Sequence, residues 1–133
     1  MSFVIHIAAA LICRDDGRTL LVRKRGTSAF MQPGGKIEAG EEPLHALVRE
    51  LQEELGVSID ASHTVYLGSF AAPAANEPGC IVQAEVFRVD VRASVRPAAE
   101  IEEIVWVEPS APGMLALAPL TRDHVLPLCA TFV

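Results

Sequence analysis

Residues 35–57 read GKIEAGEEPLHALVRELQEELGV. Leu44, Leu47, Val48, Leu51 and Leu55 recur at steps of three and four, which predicts a helix over residues 41–55 with one apolar stripe for the core. Gly56 stands where a C-cap glycine belongs. Glu50, Glu53 and Glu54 are spaced i, i+3, i+4 and form a second cluster, roughly 120° around the helix from the stripe at about 100° per residue. Like charges this close cost stability. Two readings offset that cost: a solvated acidic face, or a hard divalent cation such as Mg²⁺ or Mn²⁺, which takes carboxylates, phosphates and water as ligands. The preceding Pro33-Gly34-Gly35-Lys36 favours the cation. Glycines let backbone approach a ligand closely, and a backbone carbonyl near Gly35 can serve as a metal ligand. Lys36 and the run Arg23-Lys24-Arg25 add cations nearby in sequence, whose plain reading is a solvated strand end.

Outward from this stretch the chain reads as alternating strands and loops. Residues 3–13 predict a buried strand, Asp15-Asp16-Gly17-Arg18 a hairpin turn, and residues 19–24 the returning strand. Residues 26–40 predict a loop. After the helix, strands are expected over 65–70, 80–91 and 101–107, with a two-proline loop over 71–79 and a proline-interrupted connection over 109–119. Residues 120–130 predict a short terminal helix disturbed by Pro127. Strands with two helices imply an α/β layered fold with a mixed sheet.

The length, 133 residues, fits one domain over residues 1–133. With 50% hydrophobic and 21% charged residues, the chain supports a core and is not disordered. Its net charge of −6 argues against general nucleic-acid binding, which wants a basic face. A carboxylate-bound cation can reverse the local field and hold an anionic small molecule. Six of the 17 acidic residues fall at Glu38, Glu41, Glu42, Glu50, Glu53 and Glu54. The three cysteines, Cys13, Cys80 and Cys129, are widely spaced with no CxxC pair. They read as small hydrophobic filler in a reducing, cytoplasmic location. No apolar run approaches the roughly 20 residues of a membrane span. The four histidines show no zinc spacing. Phe30 and Tyr66 could stack on a base or belong to the core.

Gly35, Glu41, Arg49, Glu50, Glu53, Glu54 and Gly56 reproduce, at their spacing, the seven invariant positions of the Nudix box. If each type occurs at about 7%, a chance match is on the order of 10⁻⁸ per starting point. The chain therefore resembles the Nudix hydrolases, more loosely outside residues 35–57. The resemblance implies a mixed sheet sandwiched between helices, and cleavage of a nucleoside diphosphate linked to a variable group. It implies Glu50, Glu53 and Glu54 as metal ligands assisted by a carbonyl of the Gly34/Gly35 region, and Glu41 with Arg49 as the pair orienting helix and loop.

The resemblance implies a general base among the box glutamates, Glu50 or Glu53, or else Glu100, whose place six residues before Trp106 is similar to that of an additional acidic ligand in MutT-like members. Arg23, Arg25 and Lys36 are candidate phosphate ligands. Asn76 and Glu77, in the 71–79 loop, are candidates for the variable part of the substrate. Nucleoside triphosphates, oxidised ones included, are the first substrate expectation. ADP-ribose or a nucleotide sugar is the rival, since Pro73 lies 16 residues past Val57, near a proline typical of that branch. A non-catalytic nucleotide-binding module is the alternative of another class. A homodimer is a further expectation.

Overall fold

The computed structural model describes residues 3–91 and 93–131. Strands β1 (Phe3–Ile12), β2 (Thr19–Lys24), β3 (Phe30–Met31) and β4 (Gly34–Lys36) precede helix α1 (Pro43–Leu55). Strands β5 (Thr64–Pro73), β6 (Cys80–Val89) and β7 (Ile101–Val107) follow, and helix α2 (Leu126–Ala130) ends the chain. Strands and helices thus give the α/β class expected, with the strands divided between two sheets.

The larger sheet runs β4-β1-β6-β5 and is mixed, because β1 and β6 pair in parallel while its other pairs are antiparallel. The smaller, β3-β2-β7, is antiparallel. The Asp15–Arg18 turn forms as read: Arg14 N–H donates to Arg18 O and Gly17 takes a φ of +87°. It does not produce a full hairpin. β1 already has β4 on one edge and β6 on the other, so β2 shares only the Cys13–Thr19 rung with it and continues into the second sheet.

Alternation along β1 separates two apolar layers. Ala8, Ala10 and Ile12 pack with Leu47, Leu51 and Leu55 of α1. Leu11 packs with Leu120, Val125 and Cys129 of the terminal segment. The mixed sheet therefore lies between α1 and the terminal helix, as the resemblance implies.

Several boundaries differ from expectation, among them the start of α1 at Pro43 and the end of β6 at Val89. The 26–40 loop contains β3 and β4, too short to show periodicity. β5 runs on to Pro73, into the expected loop. The terminal helix opens with a wide turn, Thr121–Val125, in which Leu126 N–H reaches back five residues to Thr121 O. Pro127 falls two residues past this wide turn, inside the same helical segment, where a proline N cannot donate to the preceding turn and the regular ladder is interrupted. Among the described residues no helix is long and apolar enough to cross a membrane.

Helix α1 starts at Pro43, whose fixed φ suits a first helical position. It stops at Gly56, which takes a left-handed φ of +68° and donates to Gln52 O. Leu47 and Leu51 are fully buried. Leu51→Ala is expected to lower unfolding free energy by about 2–5 kcal/mol, for the lost transfer energy plus the cavity. Urea denaturation in chelator measures it, and a loss under about 1 kcal/mol would contradict this packing.

Candidate active site

Helix α1 lays its acidic face along β4, and the three carboxylates meet different surroundings. Glu54 is 2% exposed. One of its oxygens accepts from Gly34 N–H at 3.1 Å, while Oε2 is buried and, among the described residues, has no hydrogen-bond partner. Burial pushes its carboxyl up to about 8, against the pull of the Gly34 bond. Glu50 is half-buried and also raised, chiefly by desolvation and against the pull of Arg49. It lies so close to Gly35 that a Cβ there would stand 2.4 Å from its Cδ. Glu53 is the outermost of the three, its side chain 53% exposed and 3.8 Å from Arg49 Nη1.

Arg49 ties helix and loop together. Its Nε and Nη2 donate to the two oxygens of Glu41 at 3.0 and 2.9 Å. Nη2 also reaches Lys36 O at 3.1 Å, and Nη1 reaches Glu50 Oε1 at 2.9 Å. Glu41 accepts in addition from Glu38 N–H, and the Arg49 guanidinium holds its carboxyl down at about 2. The two residues expected to orient the loop are thus in forked contact.

Among the described residues no three His, Cys, Asp or Glu side chains are already gathered as a metal cage. Glu50 is turned to Arg49 and Glu53 to solvent. The donor set nonetheless fits a hard cation. Glu54 Oε2 is a buried acceptor with nothing to accept from, and an uncompensated buried carboxylate is costly. Glu50 and the bare backbone of Gly35 are beside it, and all are oxygen donors of the kind Mg²⁺ takes.

Beside β4 opens a cavity of about 720 Å³ including its mouth, walled in part by Gly34, Gly35, Lys36, Pro73, Asn76 and Glu77. Of the expected substrate ligands, Lys36, Asn76 and Glu77 meet here, with Lys36 3.8 Å from Glu77. Arg23 and Arg25 are not in this wall. They pair with Glu103 at 3.0 Å and Glu102 at 3.3 Å across β2 and β7. Lys24, pointing the other way from the same strand, lines the cavity and pairs with Glu100 at 3.3 Å. Its charge and that of Glu100 both act on Glu54, so Glu100 belongs to the neighbourhood of the box. Phe30 is core, and Tyr66 is exposed and bonded to Glu85 at 2.6 Å.

One site residue gave no signal in the sequence. Gln32 lines the cavity and is 6% exposed. Its Oε1 accepts from Thr121 Oγ1 at 2.7 Å, and its Nε2 has no partner among the described residues. Only the approach of the terminal segment, 89 residues away in sequence, makes this an oriented amide.

The raised Glu54 carboxyl sets a pH dependence for the metal-free fold. A folded value of about 8 above an ordinary 4.5 means the folded state holds the proton longer. That stability is complete below about 4.5 and lost as pH rises through 8. Glu50 acts in the same direction. Glu41, held low, contributes above 4.5 and loses its contribution as pH falls toward 2. In chelator the melting temperature should fall between pH 5 and 8, and Glu54→Gln should flatten that fall. A wild-type melt independent of pH over this range would contradict the burial of Glu54.

Comparison with known proteins bears on the family and the fold. The chain is 42% identical over 59 residues to the 8-oxo-dGTP diphosphatase of Escherichia coli (strain K12), covering 41% of this chain and 45% of that protein. It is 49% identical over 47 residues to the RNA pyrophosphohydrolase of Halorhodospira halophila, covering 35% of this chain and 26% of that one. These matches span from about a quarter to half of the relatives' lengths. The MutT protein from Methanosarcina mazei Go1 superposes with a TM-score of 0.77 at 26% identity, covering 98% of this chain and 96% of that one. The family model described as NUDIX domain matches residues 5–129, nearly the whole chain, and with the box intact on a loop and helix of that fold, the chain belongs to the Nudix hydrolase family.

Proposed function

We propose that this protein is a divalent-metal-dependent pyrophosphohydrolase that cleaves nucleoside triphosphates, oxidised ones included. The observation that carries the reading is the unpartnered, buried Oε2 of Glu54 beside Glu50 and Gly35, the last of which lies in the wall of the cavity that also holds Lys36, Asn76 and Glu77. Glu50, Glu53 and Glu54 would hold Mg²⁺ or Mn²⁺, with the Gly35 carbonyl assisting. When bound, the cation supplies charge neutralisation for the diphosphate and acidifies water. Glu41 and Arg49 keep the loop seated on the helix, and Lys36 meets a phosphate. Glu53 or Glu100 takes the proton from the attacking water. The relatives named 8-oxo-dGTP diphosphatase favour the triphosphate class. Pro73 in the cavity wall favours a second reading, ADP-ribose or a nucleotide sugar.

The test is a panel of nucleoside triphosphates, ADP-ribose, dinucleoside polyphosphates and nucleotide sugars with Mg²⁺, reading released phosphate and pyrophosphate. Triphosphates should give pyrophosphate, and chelator should stop the reaction. Nucleotide binding without turnover across the panel would replace this reading with a non-catalytic binding module. On the substrate found, Gln32→Leu should raise KM about tenfold with kcat unchanged. An unpaired buried donor that gains a ligand acceptor contributes roughly 1–3 kcal/mol, in ground and transition states alike. An unchanged KM would remove Gln32 from the binding site.

A further inference from the structure

Away from the Nudix box, the terminal helix and the end of β1 bring two thiols together. Cys13 Sγ and Cys129 Sγ are 3.5 Å apart, although 116 residues separate them in sequence. Both rest on the same apolar layer of Leu11, Val86, Leu120 and Val125. Both also line one solvent-open cavity, together with Arg14, His63, Arg88 and Asp90. We propose that Cys13 and Cys129 form an intramolecular disulfide when the protein meets a hydroperoxide, clamping the terminal helix to the central strand.

The geometry needs little change. A disulfide brings sulfurs to about 2.05 Å, so the pair must close by roughly 1.5 Å, within reach of small side-chain rotations. The roles of the two thiols differ. Cys13 is half-buried and open to the cavity, whereas Cys129 is buried. The contact with Cys129 and the charge of Arg88 lower the Cys13 thiol below its ordinary value, and its opening to the cavity makes Cys13 the thiol a peroxide reaches first. A thiolate, not a thiol, is the nucleophile.

The chemistry balances in two steps. The Cys13 thiolate attacks one peroxide oxygen, the O–O bond breaks, and the departing alkoxide or hydroxide takes a proton, leaving Cys13 as a sulfenic acid. The Cys129 sulfur then attacks the Cys13 sulfur. The S–S bond forms, the S–O bond breaks, and the hydroxide leaves as water with the Cys129 proton. Two thiols have lost two electrons and the peroxide has gained them. A dithiol reductant reverses the bond by exchange.

Cys80 cannot substitute for either partner. It pairs with Phe3 at the far end of β1, whereas Val89 pairs with Ile12 next to Cys13. Ten strand residues at about 3.3 Å each put it roughly 30 Å away. The bond would act on the substrate cavity at a distance, because Leu120 and Thr121, at the start of the clamped segment, are in that cavity's wall. It would also close a loop spanning nearly the whole chain, which restricts the unfolded state most.

The experiment uses the full chain with Cys80→Ser, to exclude intermolecular products, treated with a modest excess of hydrogen peroxide. Intact mass should fall by two hydrogens, peptide mapping should find Cys13 linked to Cys129, and the melting temperature should rise by several degrees. Dithiothreitol should reverse all three. Cys13→Ser should abolish them, and so should Cys129→Ala, chosen because alanine keeps the buried site apolar. Oxygen addition to Cys13 without a cross-link, or two thiols that stay titratable after peroxide, would overturn the proposal.

Discussion

Glu53→Gln is expected to lower kcat on the identified nucleotide by about 10²–10⁴ while leaving KM nearly unchanged, because a general base acts mainly in the transition state. The surroundings of the three box glutamates rank them for that role. Glu54 is buried, with one oxygen committed to Gly34 N–H, which suits holding a cation and not exchanging protons with water. Glu50 has one oxygen on Arg49. Glu53 is half-exposed with only a 3.8 Å contact to Arg49, so it can turn to a water molecule at low cost. Glu100 is the second choice. Its side chain is 60% exposed but paired with Lys24, and that pair must loosen before Glu100 accepts a proton.

Single-turnover kcat for Glu50→Gln, Glu53→Gln, Glu100→Gln and Glu103→Gln, followed along an Mg²⁺ titration carried to saturation, separates these roles. A lost metal ligand should be partly rescued by more cation, whereas a lost base should not. The base variant should also lose the rise in rate toward alkaline pH that a deprotonated base gives. Glu103, paired with Arg23 outside the cavity, should behave as wild type. Wild-type kcat in all four would remove catalysis from the acidic cluster and favour the binding-module reading.

What the sequence made legible is local. The α1 stripe and its Gly56 stop lie within residues 44–56, where periodicity reports contacts directly, while the Glu41–Arg49 fork was implied only by the resemblance to the Nudix box. Side-chain direction on β2 was a harder matter. Arg23, Lys24 and Arg25 are equivalent as a run of charge, but a strand sends neighbours to opposite faces. Only the pairing of β2 with β7 decides that Lys24 is the residue turned to the cavity. Gln32 with Thr121, and Cys13 with Cys129, were invisible for a related reason: each pair is joined by the docking of the terminal segment. The partner of β2 was misread as β1 because a turn signal reports chain reversal and not which strand edges are already occupied. The stripe itself needed one revision. Val48 is only half-buried, and Ala46 and Glu54 are buried. The helix is therefore rotated so that an acidic side chain goes inward, a choice periodicity alone would not make.

The two adjacent glycines of β4 should fail in different ways when each is given a methyl group. At Gly34 an added Cβ would stand 2.1 Å from Ala8 O and 2.9 Å from Ala9 Cα, and the backbone φ is +144°. Both obstacles are backbone, and an L side chain is strained at that φ. The Ala9–Gly34 rung of β1 and β4 must break, and the Gly34 N–H donor to Glu54 moves with it. Gly34→Ala is therefore expected to cost more than about 3 kcal/mol of stability, in the range reserved for special backbone sites. At Gly35 the φ is ordinary, and the three atoms nearest an added Cβ all belong to the carboxylate of Glu50, 2.4–2.7 Å away. That is the free end of a flexible side chain, so the fold can keep its shape while Glu50 swings aside. Gly35→Ala should melt within a few degrees of wild type, yet bind Mn²⁺ about 10–100-fold more weakly, as loss of a supporting contact does, and lose activity in proportion. Urea denaturation and Mn²⁺ titration of both variants decide the matter. If Gly35→Ala unfolds as readily as Gly34→Ala, the loop is scaffold at both positions. If it binds Mn²⁺ like wild type, Glu50 is not held against that loop for the sake of a metal.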